Sequence, residues 1–169
     1  FCRDYNLPKV TSTCSWELIE KIDEATHALE QKYILYAEAD QIEVETTLDM
    51  HEKHRMLKLC FPVNATEQLA RAEVSYGFIE RPCDGCEETG HRWMEVGDQD
   101  GGLAILNDSK YSFSIKGGDM DLTAIRSPFY NDHGREGAYE DPENELTDQG
   151  MCEFKYAFCP VEGDGWNGL

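Results

Sequence analysis

Apolar residues recur at every second position through much of this chain. In Gln41–Asp49, Ile42, Val44, Thr46 and Leu48 fall on one side, while Glu43, Glu45 and Thr47 fall on the other. Such alternation marks a strand with one buried face. A similar period runs through Ala28–Tyr36, 70–81, 91–96 and Met151–Cys159, and through Met56–Val63, where Pro62 stands near the end and a missing ladder bond costs least. The stretch Gly101–Tyr130 is the most structured. An apolar run, Leu103–Leu106, is punctuated by Asn107-Asp108; Tyr111, Phe113 and Ile115 then alternate, Lys116-Gly117-Gly118-Asp119 turns, and Met120, Leu122 and Ala124 return. That pattern predicts a strand, a turn and a hairpin, because glycine tolerates the positive φ that tight primed turns require. Leu103, Ile105, Phe113, Ile115, Leu122, Phe154, Tyr156 and Phe158 are the candidate core.

One segment conflicts with this picture. Leu18, Ile19, Ile22, Ala25 and Leu29 fall at helical spacing, and a Ser or Thr before Trp16 could cap a helix. Propensity alone predicts helix there. Residues 1–14 read as a lead-in segment, 37–40 as a connection, Asp49–Arg55 as a charged crossover and 82–90 as a loop. The acidic, aperiodic stretch 131–149 reads as a long surface loop, and 162–169 as a tail leading out of the domain. About nine strands without an internal repeat predict an all-β antiparallel sandwich. At 169 residues one domain, 1–169, is the expectation.

Composition narrows the partners. A formal net charge of −19 argues against nucleic acid and against an anionic membrane surface, since both require basic residues to displace counterions. No apolar stretch is long enough to span a bilayer, and residues 1–16 lack the pattern of a signal peptide. The chain starts without Met and reads as a piece of something longer. Seven cysteines, an odd number spread along the chain, favour a reducing compartment and hence a cytoplasmic location. Asn64-Ala-Thr66 and Asn107-Asp-Ser109 match glycosylation sequons, which carry little weight without a secretory context.

Three motifs invite chemistry. His51-Glu52-Lys53-His54 places its imidazoles at i and i+3 rather than i and i+4, between strands and with no evident third ligand. Hydrogen bonding in a crossover is the expected role. Cys83-Asp-Gly-Cys86 is a single knuckle, and a four-coordinate zinc would want a second pair. These thiols are expected to bind no metal. A retaining glycosidase needs two carboxylates about 5 Å apart, but sequence alone selects no pair from 34 acidic residues.

The wording of several segments resembles the C-terminal β region of the α-mannosidases of glycoside hydrolase family 38. LAILNDSKYSFSIKGGDMDLTAIRSPFY, followed at Asp148 by DQGMCEFKYAF, carries the resemblance most densely. YILYAEADQIEV stands where the family has a phrase like YTLYAGSDRIDV, and DMHEKHRMLKL where it has DWHERHKLLKV. The resemblance covers residues 27–166 and implies a galactose-mutarotase-like sandwich. The family continues into further strands after Trp166, so only part of that sandwich is expected here. Residues 16–26 are accordingly expected to be extended, because pairing with 28–36 can override helical propensity.

The resemblance also places the catalytic chemistry elsewhere. In this family the nucleophilic Asp, the acid/base Asp and the zinc ligands lie in a preceding α/β domain, so no residue here is assigned as catalytic or metal-ligating. Zinc is expected in that domain and no cofactor in this chain. The implied partners are the upstream catalytic domain and an α-mannoside. What the β region implies is a wall of the cleft, at Arg126-Ser-Pro-Phe-Tyr130 and Asp148-Gln-Gly150. Arg126 and Asp148 are the candidate substrate-binding residues. Arg126 could hold sugar hydroxyls, or equally pair with Asp148 inside the sandwich. Where the family reads DQGEHEF this chain has Cys152 in place of the His. The family's loop resembling ERPTDGEEEPGQRW has no paired thiols, so Cys83 and Cys86 are peculiar to this chain. The expected function is the β domain of a retaining, metal-dependent α-mannosidase. A stand-alone carbohydrate-binding sandwich is the alternative.

Overall fold

The computed structural model describes residues 16–23, 27–63, 69–128 and 145–161. The predicted lead-in, the tail and most of the acidic loop lie outside them. Twelve strands run through the described residues: β1 Trp16–Asp23, β2 His27–Leu35, β3 Ile42–Met50, β4 Met56–Pro62, β5 Leu69–Val74, β6 Gly77–Arg81, β7 Glu88–Thr89, β8 Trp93–Asp98, β9 Gly101–Asn107, β10 Ser112–Lys116, β11 Asp119–Arg126 and β12 Gly150–Val161. They form an eight-stranded sheet, β1-β2-β3-β12-β9-β8-β5-β6, and a four-stranded sheet, β4-β11-β10-β7, with every pairing antiparallel. The fold is an all-β sandwich, and no helix of the described residues is long and apolar enough to cross a membrane.

The segment with helical spacing is strand β1, paired from Trp16↔Leu35 to Asp23↔Ala28. Its spacing loses to the ladder that β2 offers, the expected tertiary override of propensity; residues 24–26 of that expectation lie outside the described set. Three readings need correction. Residues 70–81 are two strands, since the chain reverses at Ser75-Tyr76 with Tyr76 at φ 73 and Val74 paired to Gly77. The 82–90 loop contains β7, which pairs with β10, and a bridge from Asp84 to Lys116. The strand count is therefore twelve rather than about nine.

The two sheets share one core. Ile105, Phe113, Ile115, Leu122, Phe154 and Tyr156 are buried in a single cluster, with Leu103 and Phe158 packed against it. All eight expected core positions thus face one interior. Val44, Leu48 and Met50 on β3 are buried while Glu43, Glu45 and Asp49 are only half-buried, as the alternation required. Gln31 is the polar exception inside. Its side-chain amide donates to Tyr156 Oη at 3.0 Å and its carbonyl accepts from Tyr33 Oη at 3.0 Å, which offsets the cost of burying it.

β11 carries the feature that decides the site. From Met120↔Phe61 to Thr123↔Lys58 its pairing with β4 is regular, but the next pair is Ile125↔Leu57. Ala124 is the additional residue, a β-bulge. Because side chains alternate with period two, one extra residue exchanges the faces beyond it. Met120, Leu122 and Ala124 point inward before the bulge; Ile125 points inward after it, into a second cluster with Leu48 and Met50. Arg126 is turned outward and is exposed.

Candidate functional site

The end of the sandwich reached by β11 gathers three separate segments: the 51–55 crossover, the 126–128 strand exit and the 145–149 approach to β12. Ser127 is the rivet. It is fully buried; its amide donates to Arg55 O at 2.9 Å and its carbonyl accepts from His54 N at 3.0 Å. Its hydroxyl accepts from Arg55 N at 3.0 Å and donates to Arg55 O at 3.3 Å. A buried hydroxyl with both capacities used fixes the crossover against the strand exit.

The third segment is stitched to both. Thr147 N donates to Pro128 O at 2.9 Å, and the Thr147 hydroxyl reaches Arg126 O at 3.3 Å. Gln149 Nε2 donates to Glu52 O at 2.9 Å and Thr147 O at 3.2 Å. Asp148 Oδ2 accepts a long bond from the Arg126 backbone amide, 3.4 Å. Two non-glycine residues here hold left-handed backbone, His54 at φ 53 and Asp148 at φ 52, and Gly150 follows at φ 85. Asp and His enter that region more readily than most residues, at on the order of 1 kcal/mol each, and such strain persists only where neighbouring structure over-determines it.

Sequence left two places open for Arg126. Both residues are exposed, and the Asp148 carboxylate accepts from the Arg126 backbone amide. The corner therefore presents a planar donor fork and a carboxylate acceptor to solvent from a braced backbone. Their chemical capacity is to donate to and accept from hydroxyls in a fixed geometry.

The other candidates are dispersed. His51 Nε2 lies 3.0 Å from Asp49 Oδ1, while His54 is held by Ser127. Cys83 is half-buried and its thiol pKa is pushed up by burial, then by Asp84. Cys86 is exposed and is pushed up by its hydrogen bond to Asp84. Asp84 is itself lowered, chiefly by accepting from the Cys86 amide at 2.8 Å. Thiols biased toward the protonated form are poor metal ligands. Among the described residues no three His, Cys, Asp or Glu side chains group so as to hold a metal ion.

The sequence reading missed two residues that organise this end of the molecule and the smaller sheet. On the outer face of the smaller sheet Glu87 accepts from Lys58 at 2.5 Å, from Ser112 at 2.6 Å and from Thr123. Burial raises the Glu87 pKa, but these three donors outweigh it and the carboxyl lies below its ordinary range. The partners come from β4, β10 and β11, so no local spacing announces them. The second missed residue is Ser127, whose one hint was its place between an Arg and a Pro.

Comparison with known proteins supplies the context. The model of the glycosyl hydrolases family 38 C-terminal domain matches residues 9–134, a span that includes Arg126 and excludes Asp148. Alpha-mannosidase 2C1 of Homo sapiens is 30% identical over 143 residues, covering 80% of this chain and 13% of that protein. Alpha-mannosidase G of Dictyostelium discoideum is 29% identical over 144 residues, covering 80% and 12%. The chain thus spans a small part of these relatives. Among solved structures, an alpha-mannosidase from Enterococcus faecalis V583 superposes with a TM-score of 0.68 at 20% identity, over 81% of this chain and 16% of that one. A glycosyl hydrolase family 38 protein from Enterococcus faecalis gives 0.69 at 22% identity, with the same coverage. Both share the sandwich. With its matched span covering most of the sequence, the chain belongs to the glycosyl hydrolase family 38 C-terminal domain family.

Proposed function

We propose that this domain is the β wall beside the sugar in a retaining, metal-dependent α-mannosidase whose nucleophile, acid/base and zinc lie in a catalytic domain outside these 169 residues. The family match and the mannosidase relatives support that parentage. The observation that carries the role of the wall is the exposed Arg126, set outward by the bulge at Ala124 on a braced corner. In this reading the Arg126 fork donates to hydroxyls of the bound mannoside, and Asp148 accepts from them. Ser127, Thr147 and Gln149 hold the backbone so that little ordering remains to be done on binding. Orientation of this kind accelerates hydrolysis only where a carboxylate nucleophile and an acid are also present.

The test is release of a chromogenic alcohol from an aryl α-mannoside, by the purified chain and by the longer enzyme that contains it. The chain alone is expected to give no turnover, and the longer enzyme to give turnover that a chelator removes. Turnover by the isolated chain that survives chelation and repeated purification would place a complete catalytic site within it and overturn the reading.

A further inference from the structure

The eight-stranded sheet has a gap. β9 ends at Asn107, so the β12–β9 ladder runs only from Tyr156↔Asn107 to Val161↔Gly102, while β12 pairs with β3 from Gly150 onward. Asp108 closes the first step of the gap: its amide donates to Lys155 O at 3.2 Å, and its Oδ2 accepts from Lys155 N at 3.1 Å. The chain then turns, with Lys110 N donating to Asn107 Oδ1 at 2.7 Å, and sends the Lys110 side chain across the Phe154 ring, Nζ 4.6 Å from its centroid. There Nζ stands 3.4 Å from Cys152 Sγ. Cys152 is half-buried, packing against both core clusters while part of it stays open to solvent.

The other described thiols have different surroundings. Cys60 is pushed up to about 11, first by its hydrogen bond to Asp121. Cys83 and Cys159 are raised chiefly by burial, and Cys86 by Asp84. Carboxylates disfavour the thiolate that reacts with oxidants, and a nitrogen beside an oxidised sulfur can close on it. At Cys152 a lysine nitrogen stands on the sulfur.

We propose that Lys110 and Cys152 form a redox-responsive couple, in which hydrogen peroxide oxidises Cys152 and the Lys110 amine then closes on the sulfur as a covalent S–N link. In the first step the thiolate attacks one peroxide oxygen and the O–O bond breaks. The departing hydroxide takes a proton from the Lys110 ammonium and leaves as water. Sulfur is now a sulfenic acid, oxidised by two electrons, and Lys110 is a neutral amine beside it. In the second step the amine nitrogen attacks sulfur, the S–O bond breaks, and the hydroxide leaves as water with a proton from nitrogen. One thiolate, one ammonium and one peroxide give one sulfenamide and two waters. Two equivalents of a thiol reductant reverse it, becoming a disulfide. The link ties the turn after β9 to β12 across the gap.

The experiment is peroxide titration of the purified chain, followed by intact mass and tryptic mapping of every cysteine. The expected product is two hydrogens lighter than the reduced protein, contains a peptide pair joining Lys110 to Cys152 with no tryptic cut after Lys110, and reverts with dithiothreitol. Lys110→Met should slow oxidation of Cys152 about tenfold and leave a sulfenic acid that dimedone traps. Cys152→Ser should abolish the link. Circular dichroism shows whether the variants fold, and the wild-type map decides the matter by itself. Cys152 oxidising no faster than exposed Cys86, a disulfide at Cys152, or a sulfinic acid with Lys110 still cleaved would each overturn the proposal.

Discussion

The two ends of β11 are built on opposite plans. At its start, Lys116↔Asp119 closes a two-residue turn in which Gly117 and Gly118 take φ 62 and 97, so the geometry is set by four neighbouring residues. At its far end, an extra residue at Ala124, a buried Ser127, a crossover some 72 residues away in sequence and the approach to β12 together fix one exposed arginine. The first end relies on glycine to avoid strain. The second accepts strain at His54 and Asp148 and restrains it with hydrogen bonds. The comparison teaches that one strand can be anchored locally where it only has to fold, and assembled from distant pieces where it has to present a side chain.

The largest expected effect tests the far end. Ser127→Ala removes the acceptor for Arg55 N and leaves a hydroxyl-sized void, so unfolding free energy should fall by about 1 to 3 kcal/mol in a urea titration. Loss of less than the error of that titration would mean that the rivet is dispensable. A somewhat smaller effect should come from the turn. Gly117→Val leaves open space around the new side chain, but a β-branched residue at φ 62 should cost roughly 1 to 2 kcal/mol. If valine were tolerated without cost, the local plan of the hairpin would be wrong.

What sequence revealed follows the same division. Strict alternation located β3, β10, β11 and β12 because one face of each is buried, and Gly117-Gly118 announced the hairpin because φ demands it. The bulge was invisible: Ala124 continues the apolar period after Met120 and Leu122, and nothing in composition says that the next inward residue is Ile125. The β5–β6 turn was missed because Ser75-Tyr76 lacks the usual Asn-Gly signature and only Gly77 hints at a break. That β9 and β10, neighbours in sequence, enter different sheets is a matter of long-range pairing. Arg126 and Asp148 were identified by resemblance, but the bond that joins them runs from a backbone amide that the bulge reorients. Lys110 and Cys152, 42 residues apart, could meet only once β9 had ended short of β12.

The smallest expected effect on stability tests the central claim most directly, that the bulge turns Arg126 outward to serve the cleft and not the fold. Arg126→Ala in the longer enzyme should change unfolding free energy by no more than about 0.5 kcal/mol, as for an exposed residue outside the core. In the same preparation kcat/KM for an aryl α-mannoside should fall by about tenfold or more, the scale of one lost charged hydrogen bond to the sugar. A loss of stability that accounts for the loss of activity, or unchanged kcat/KM, would contradict the account.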